Sequence, residues 1–238
     1  MKTTLAIAWK EIRTYFTTPM AYIVAMVFLA LTGYYFINDM LGSVLPEASI
    51  RGFLIPSTAI LVLLAPLLTM RLLAEEQKMG TMELLLTAPI RDWQIVVGKY
   101  LATFVFFLGT LAFTLYYLVL VAWFGTPDMG PVLTGYIGLI LYGGATLAIG
   151  LFASSLSPNQ IVSAVLGFGI LLLLTIIQYA TRYISGTAAT IVNQMSMQAR
   201  FEDFARGILD LSSVIYYITV MVVFLFLTIR SVESHRWR

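Results

Sequence analysis

From Leu101 to Thr126 the chain carries no charged side chain, and a helix needs only about 20 apolar residues to cross a bilayer core. A helix of a water-soluble fold would show a polar face within such a window. In lipid a helix satisfies its own backbone hydrogen bonds and needs none. Five further runs share this character, so the sequence reads as six spans: Met20–Ile37, Phe53–Met70, Tyr100–Phe124, Val132–Ala153, Ile161–Ala180 and Leu211–Ile229. Composition agrees, with 60% hydrophobic and 11% charged residues among 238, against about 25% charged in an ordinary soluble domain. The expectation is an all-α integral membrane protein, one transmembrane domain over residues 1–238. It shows no internal repeat, low-complexity stretch or soluble domain.

Orientation follows from the inside bias of Lys and Arg. With the N-terminus inside, the inner segments hold Lys2, Lys10, Arg13, Arg71, Lys78, Arg91, Lys99, Arg230, Arg236 and Arg238. The outer segments hold only Arg51, Arg182, Arg200 and Arg206. This sorting puts both termini on the cytoplasmic side of the membrane. The net charge of +2 reflects it and is no sign of nucleic-acid binding. Cysteine is absent, which excludes disulfides, thiolate metal sites and thiol chemistry. A cleavable signal peptide is not expected, because the first apolar run is too long for a signal core and no small-x-small pattern follows it.

Residues 1–18 read as an amphipathic interfacial helix. Leu5, Ala8, Trp9, Ile12, Tyr15 and Phe16 recur at three- and four-residue spacing, with Lys10, Arg13 and Thr17 on another side. Two readings stand for this helix: a surface anchor, or an elbow packing on a neighbouring subunit. Pro19 separates it from the first span.

The segment 71–99 spends far more polar residues than a simple turn between two spans requires. Arg71–Met79 has strong helix formers and extends the second span, and Gly80 should stop it in a left-handed cap conformation. Thr81–Thr87 then gives about two helical turns, with Met82, Leu85, Leu86 and Pro89 along one side and Glu83 off it. Asp92 is placed to cap the next helix, whose first turn is Trp93-Gln94-Ile95. On the outer side, residues 181–210 set Ile191, Met195, Phe201, Phe204 and Ile208 among polar residues, as a pair of helices dipping into the outer leaflet would. Asp210 should cap the last span.

Reactive chemistry is scarce. No charge sits mid-span, and Thr175 and Gln178 are the nearest polar candidates; Gln178 reads as an interhelical hydrogen bonder or a substrate ligand. Gly143, Gly144, Ala145, Ala148 and Gly150 favour close helix packing. His235 is the single histidine, which rules out His-based triads and His metal clusters. Glu75 and Glu76 are adjacent, about 100 degrees apart on a helix, so they are not an acid–base pair; a solvated helix face is the plain alternative. Gly98-Lys99 is not a phosphate loop, since Trp93 stands where the first glycine belongs and Tyr100 where Ser or Thr belongs. The chain is therefore not expected to act as an enzyme or to bind a cofactor. ATP energy would have to come from another polypeptide.

The series Glu75-Glu76-x-x-x-Gly80-Thr81-x-Glu83-x-Leu85-Leu86-x-x-Pro89, with Asp92 and Gly98-Lys99 beyond it, resembles the cytoplasmic loop of ABC-2 type permeases, the membrane subunits of a class of ABC transporters. The interfacial helix, six spans and long outer segment fit the same family, so the resemblance covers essentially the whole chain. Phe201-Glu202-x-Phe204-x-x-Gly207-Ile208-x-Asp210 resembles the gliding-motility-associated and copper/nitrous-oxide-maturation branch. The family implies a type V-like exporter architecture in which Gly80, Thr81, Met82, Glu83, Leu85, Leu86 and Pro89 form a coupling helix docked on a separate ABC ATP-binding subunit. That subunit would hold ATP and Mg. Arg71, Glu75 and Glu76 would lie on the helix that carries motion into the second span. Simple packing beneath the bilayer surface remains the other reading of the leucines. The family also implies a second permease copy or related chain. An envelope or periplasmic accessory protein could meet the outer segment. The expected function is export of a hydrophobic, lipid-like or otherwise bulky substrate; the alternative is a non-translocating coupling subunit that passes ATP-driven motion to envelope or gliding-type machinery.

Overall fold

The computed structural model describes residues 2–42, 51–81, 90–125, 128–183 and 186–235. Among them all regular structure is helical. The α-helices, in chain order, are α1 (Lys2–Thr17), α2 (Pro19–Gly42), α3 (Arg51–Thr69), α4 (Arg71–Lys78), α5 (Asp92–Phe113), α6 (Leu115–Phe124), α7 (Met129–Ser155), α8 (Gln160–Ile176), α9 (Thr187–Met195), α10 (Met197–Ala205) and α11 (Leu211–His235), with a 3-10 turn over Ile177–Arg182. Among the described residues six stretches are long and apolar enough to cross a membrane: Pro19–Met40, Gly52–Lys78, Asp92–Trp123, Met129–Ser155, Gln160–Ala180 and Leu211–Ser234. The protein is a multi-pass helical membrane protein. The spans expected from sequence fall within these stretches, save for Phe124 just past the third, and the second, third and sixth stretches run several residues further at the α4 end.

The fourth span, α7, is the most buried and forms the middle of the bundle, with α11, α3 and α8 packed around it. Its small residues explain why. A methyl group on Gly143 would collide with the Phe107 ring, one on Gly144 would press on Met221 and Tyr100, and one on Gly150 would meet Thr69. Close backbone approach is what small residues provide where lipid offers no hydrophobic drive between helices. Pro56 and Pro66 both lie inside α3, where each removes a backbone donor. Hydroxyls near them bond back to the helix, with Thr58 Oγ1 donating to Ile55 O (2.7 Å) and Thr69 Oγ1 to Ala65 O (2.9 Å).

The bundle has two distinct ends. One gathers α1, α4, the start of α5, and the ends of α7 and α11, where Ser231 Oγ donates to Ser155 O (3.2 Å). The other gathers α9, α10, and the starts of α7 and α11. There Thr134 Oγ1 donates to Phe204 O (2.7 Å) and Tyr217 OH to Met197 O (2.7 Å).

Two local expectations need correction. The cap of α5 is Arg91, not Asp92: the Arg91 N–H donates to Gln94 Oε1 (3.0 Å), and Asp92 is the first helical residue. A carboxylate there still faces the positive end of the helix dipole. In α1 the face turned to the protein runs through Thr4, Ala8 and Tyr15, with Ile7, Glu11 and Ile12 half-buried, while Leu5, Trp9 and Phe16 are exposed. The apolar stripe read from the sequence is split between protein and surroundings. Periodicity alone does not distinguish an apolar residue that meets lipid from one that meets a neighbouring helix.

Candidate functional site

At the α1–α4 end the second span does not run straight into α4. The helix is interrupted at Met70, and the cause is a side chain from α7. Ser154 Oγ donates to Met70 O (2.8 Å) and accepts from the N–H groups of Leu73 and Ala74 (3.1 Å each). Met70 O and Ala74 N–H are the pair an uninterrupted helix would join to each other, so the hydroxyl takes a place in the backbone ladder, a recognised cause of a bend. Gln77 Nε2 adds a bond to Ser155 O (3.0 Å). By these contacts α4 is clamped to the end of the fourth span.

The opposite side of the joint is held by α1. Tyr15, fully buried, donates its hydroxyl to Leu68 O (3.0 Å) and lies 3.0 Å from Thr103 Oγ1. Its ring stacks on Phe106 (5.1 Å) and carries the Arg71 guanidinium above it (5.2 Å). Burial pushes the phenol above its ordinary range, countered in part by the Thr103 hydrogen bond and the Arg71 charge. It therefore acts as a neutral donor at physiological pH. One helical turn away, Glu11 meets Lys99.

Lys99 is the one charged side chain classed as buried among the described residues, 2% exposed. Its ammonium lies 2.9 Å from Glu11 Oε1 on α1 and 2.7 Å from Glu76 Oε1 on α4. Glu76 Oε2 is buried and accepts no hydrogen bond within the described residues. Gly98, next in sequence, lets α1 lie directly over α5: an added Cβ would stand 2.9 Å from Ile7 Cγ2 and 3.1 Å from the Thr4 carbonyl oxygen. The Gly-Lys dipeptide thus combines close approach with an ionic tie.

Of the residues singled out from sequence, the structure brings Arg71 and Glu76 into this joint and leaves Glu75 exposed on α4. Glu76 does not lie on a solvated face; it is half-buried against Lys99. Gly80 takes the left-handed conformation (φ 68°) with open space around it, and Thr81 Oγ1 donates back to Glu76 O (3.3 Å). Met82, Glu83, Leu85, Leu86 and Pro89 lie outside the described residues, so the helix expected over 81–87 is seen only at Thr81. At the other end Phe201 and Phe204 are fully buried against α7, and Glu202 pairs loosely with Arg206 (3.4 Å). Gly207 turns with φ 94° beside Pro131, and Asp210 Oδ1 accepts from Ser212 N–H at the start of α11. Sequence reasoning did not find Glu11, Tyr15 and Ser154 as members of the joint. The available signal was a lone acidic residue on a basic interfacial helix.

These contacts define a helical membrane protein with a polar, ion-paired joint at one end of its bundle. The family described as ABC-2 family transporter protein matches residues 44–230, and the chain belongs to that family, whose members are transporter proteins rather than enzymes. It is similar to the probable multidrug ABC transporter permease YbhS of Escherichia coli K12, 34% identical over 121 residues, which is 50% of this chain and 32% of that protein. It is also similar to the probable multidrug permease YbhR of the same organism, 26% identical over 117 residues, 48% of this chain and 31% of that protein. The matched region spans about a third of each relative's length.

Proposed function

We propose that the chain is the permease subunit of an ATP-driven exporter in a bacterial inner membrane, with both termini and the 71–99 region in the cytoplasm. A separate ABC ATP-binding subunit docks on Gly80–Pro89 and supplies ATP and Mg; a second permease copy or a related chain completes the working unit. The observation that carries this reading is the joint itself. Helix α4 is clamped into the bundle at its start and presents Glu75, Lys78, Met79 and Gly80 to the surroundings at its end, directly before Met82, Leu85 and Leu86. An amphipathic segment docks in a partner's groove by such anchors at three- and four-residue spacing. The substrate class favoured is hydrophobic, lipid-like or otherwise bulky, supported by apolar spans and by the multidrug permeases the chain resembles.

The decisive experiment replaces Leu85 and Leu86 by Asp and asks whether the ATP-binding subunit still co-purifies. Each leucine should contribute about 1.5–3 kcal/mol on burial, and a buried unpaired carboxylate adds a further penalty. The expected result is an inserted permease without its partner; co-purification at wild-type levels would place docking elsewhere. Purified alone, the chain should turn over no ATP.

A second reading has one observation in its favour. The outer motif Phe201-Glu202-x-Phe204-x-x-Gly207-Ile208-x-Asp210 resembles the gliding-associated branch, and beside it Ile191, Met195, Ile208 and Leu209 are exposed. A non-translocating subunit that passes motion to an envelope or periplasmic partner would use such a surface. Reconstitution separates the two readings: ATP-dependent movement of a lipid-like or drug-like cargo supports the first, and ATP turnover without any transport supports the second.

A further inference from the structure

The α1–α4 end is built from two groups of helices joined by few contacts. Helix α4 is tied to α7 through Ser154 and through the Gln77 bond to Ser155. Helix α1 rides on α5, where Gly98 admits Ile7 and Thr4 and where Tyr15 stacks on Phe106. The contacts described from α4 to the other group are Arg71 over the Tyr15 ring and Glu76 on Lys99. Lys99 in turn holds Glu11 of α1.

The stoichiometry is informative. One ammonium faces two carboxylates from two different helices. Glu76 alone would neutralise the charge of Lys99, and Glu11 takes a second of its three N–H donors, so the ammonium is shared between α1 and α4. Arg71, above the Tyr15 ring, supplies the joint with a second cation, so the two carboxylates come from separate helices without a surplus of charge. What Glu11 adds is a mechanical link. The lysine stem ends in three donors on one pivot, which can hold both oxygens while the helices shift. Neither Glu11 nor Tyr15 can follow the rest of α1 away from the joint while these contacts persist. Beyond α1 the link continues: Tyr22 OH donates to Phe16 O (2.8 Å) across the Pro19 boundary into the first span.

We propose that Lys99 is a positioning residue whose two carboxylate partners yoke the interfacial helix α1 to α4, so that a displacement of α4 passes at once to α1 and to the third span. The proposal rests on the exporter reading, in which α4 receives its displacement from the docked ATP-binding subunit. Motion would then reach the first span through α1 and the fourth span through Ser154. It would also shift the exposed Leu5, Trp9 and Phe16 within the membrane interface.

The test uses the full complex in lipid vesicles, with spin labels on Lys10→Cys of α1 and Lys78→Cys of α4; both positions are exposed, and the natural chain has no cysteine. In the otherwise native chain the label distance should be single and the same in the nucleotide-free state and after trapping with ATP and orthovanadate. Glu11→Gln and Glu76→Gln each leave Lys99 with one carboxylate partner and an amide oxygen to accept in place of the other, so each should keep the wild-type melting temperature and complex yield. Each should nevertheless lose the common distance on trapping, as a shifted or broadened distribution. A purely structural cluster predicts otherwise. A lowered melting temperature in both variants, a wild-type distance in both states of both variants, or a native distance that itself changes on trapping would overturn the yoke. If no ATP-binding subunit assembles with the native chain, the exporter reading falls and takes this proposal with it. If the complex assembles and traps nucleotide while the distances fail as described, only the yoke falls.

Discussion

At the α10 end of the bundle, Phe201 and Phe204 are fully buried and lie among rings: Phe201 packs edge-on against Tyr142 (5.8 Å), and Phe204 against Tyr217 (6.3 Å). Hydroxyl-to-carbonyl bonds and ring contacts occur at both ends, but the α4 end adds an ammonium between two carboxylates and a hydroxyl inside a helix ladder. The first arrangement has one good packing and resists change, because close-packed rings lose contact steeply when displaced. The second is a set of directional polar contacts on separate helices, each worth little net and each able to re-form after a shift. The difference teaches where the molecule is rigid and where it can be driven. The α10 end closes the bundle; the α4 end is the one that, on the proposal above, transmits.

The largest effects should come from breaking each end at its centre. Phe204→Ala opens a cavity against Gly138 and Tyr217 and should cost about 3–5 kcal/mol. Lys99→Met leaves two carboxylates facing each other and should cost a similar amount, about 3–5 kcal/mol. Unfolding midpoints in detergent would measure both. The ends should then diverge on repair. Adding Glu11→Gln and Glu76→Gln to Lys99→Met removes every charge of the cluster and should restore most of the stability, since a buried ion pair replaced as a whole is often near neutral. No substitution of neighbouring rings should repair Phe204→Ala to that extent. Failure of the triple variant to recover would mean that the ionic cluster holds this end as firmly as the rings hold the other.

A middle-sized effect tests the bend. Ser154→Ala removes the hydroxyl from between Met70 O and Ala74 N–H. If the backbone does not close up, the orphaned groups should cost about 1–3 kcal/mol. If it does close, the second span and α4 become one continuous helix through Met70, stability is kept, and the joint loses its clamp on α7. Thermal unfolding with a label distance between α4 and α7 separates these two responses.

Much of this architecture was legible in the sequence, and the reasons are physical. Spans announce themselves by length and absence of charge. Gly80 announces its left-handed turn because other residues adopt that conformation at a cost. The small residues of α7 mark close packing. Phe201 and Phe204 stand three apart on α10, the spacing that brings both to one side. The joint was not legible, because its members are far apart along the chain: Lys99 and Glu11 by 88 residues, Ser154 and Leu73 by 81. Nothing local to Glu11 marks it as a partner of Lys99. The interfacial helix misled for a second reason, since Leu5, Trp9 and Phe16 carry the same periodicity whether they face lipid or protein. The cap of α5 was misplaced by one residue because Asp92 and Arg91 can both precede a helix. Only the Gln94 side chain, reaching back to the Arg91 N–H, decides it.

The smallest effect belongs to the one ion pair described at the α10 end. Glu202 and Arg206 stand four residues apart at the end of α10, 3.4 Å from each other, and their side chains are 40% and 65% exposed. Solvent screens such a pair, and both side chains lose rotamer freedom to form it, so exposed i,i+4 pairs are usually worth about 0.3–0.5 kcal/mol. Arg206→Ala should therefore leave the unfolding midpoint almost unchanged, in contrast to the cost expected at Lys99. The comparison is between Lys/Arg–carboxylate contacts in one protein that differ in length (3.4 Å against 2.7 and 2.9 Å), in burial and in whether they join one helix or three. If Arg206→Ala proved as damaging as Lys99→Met, burial would not be what sets the two ends apart. A second role for Arg206 at the α10 end would then have to be sought, beginning with a partner that this surface could bind.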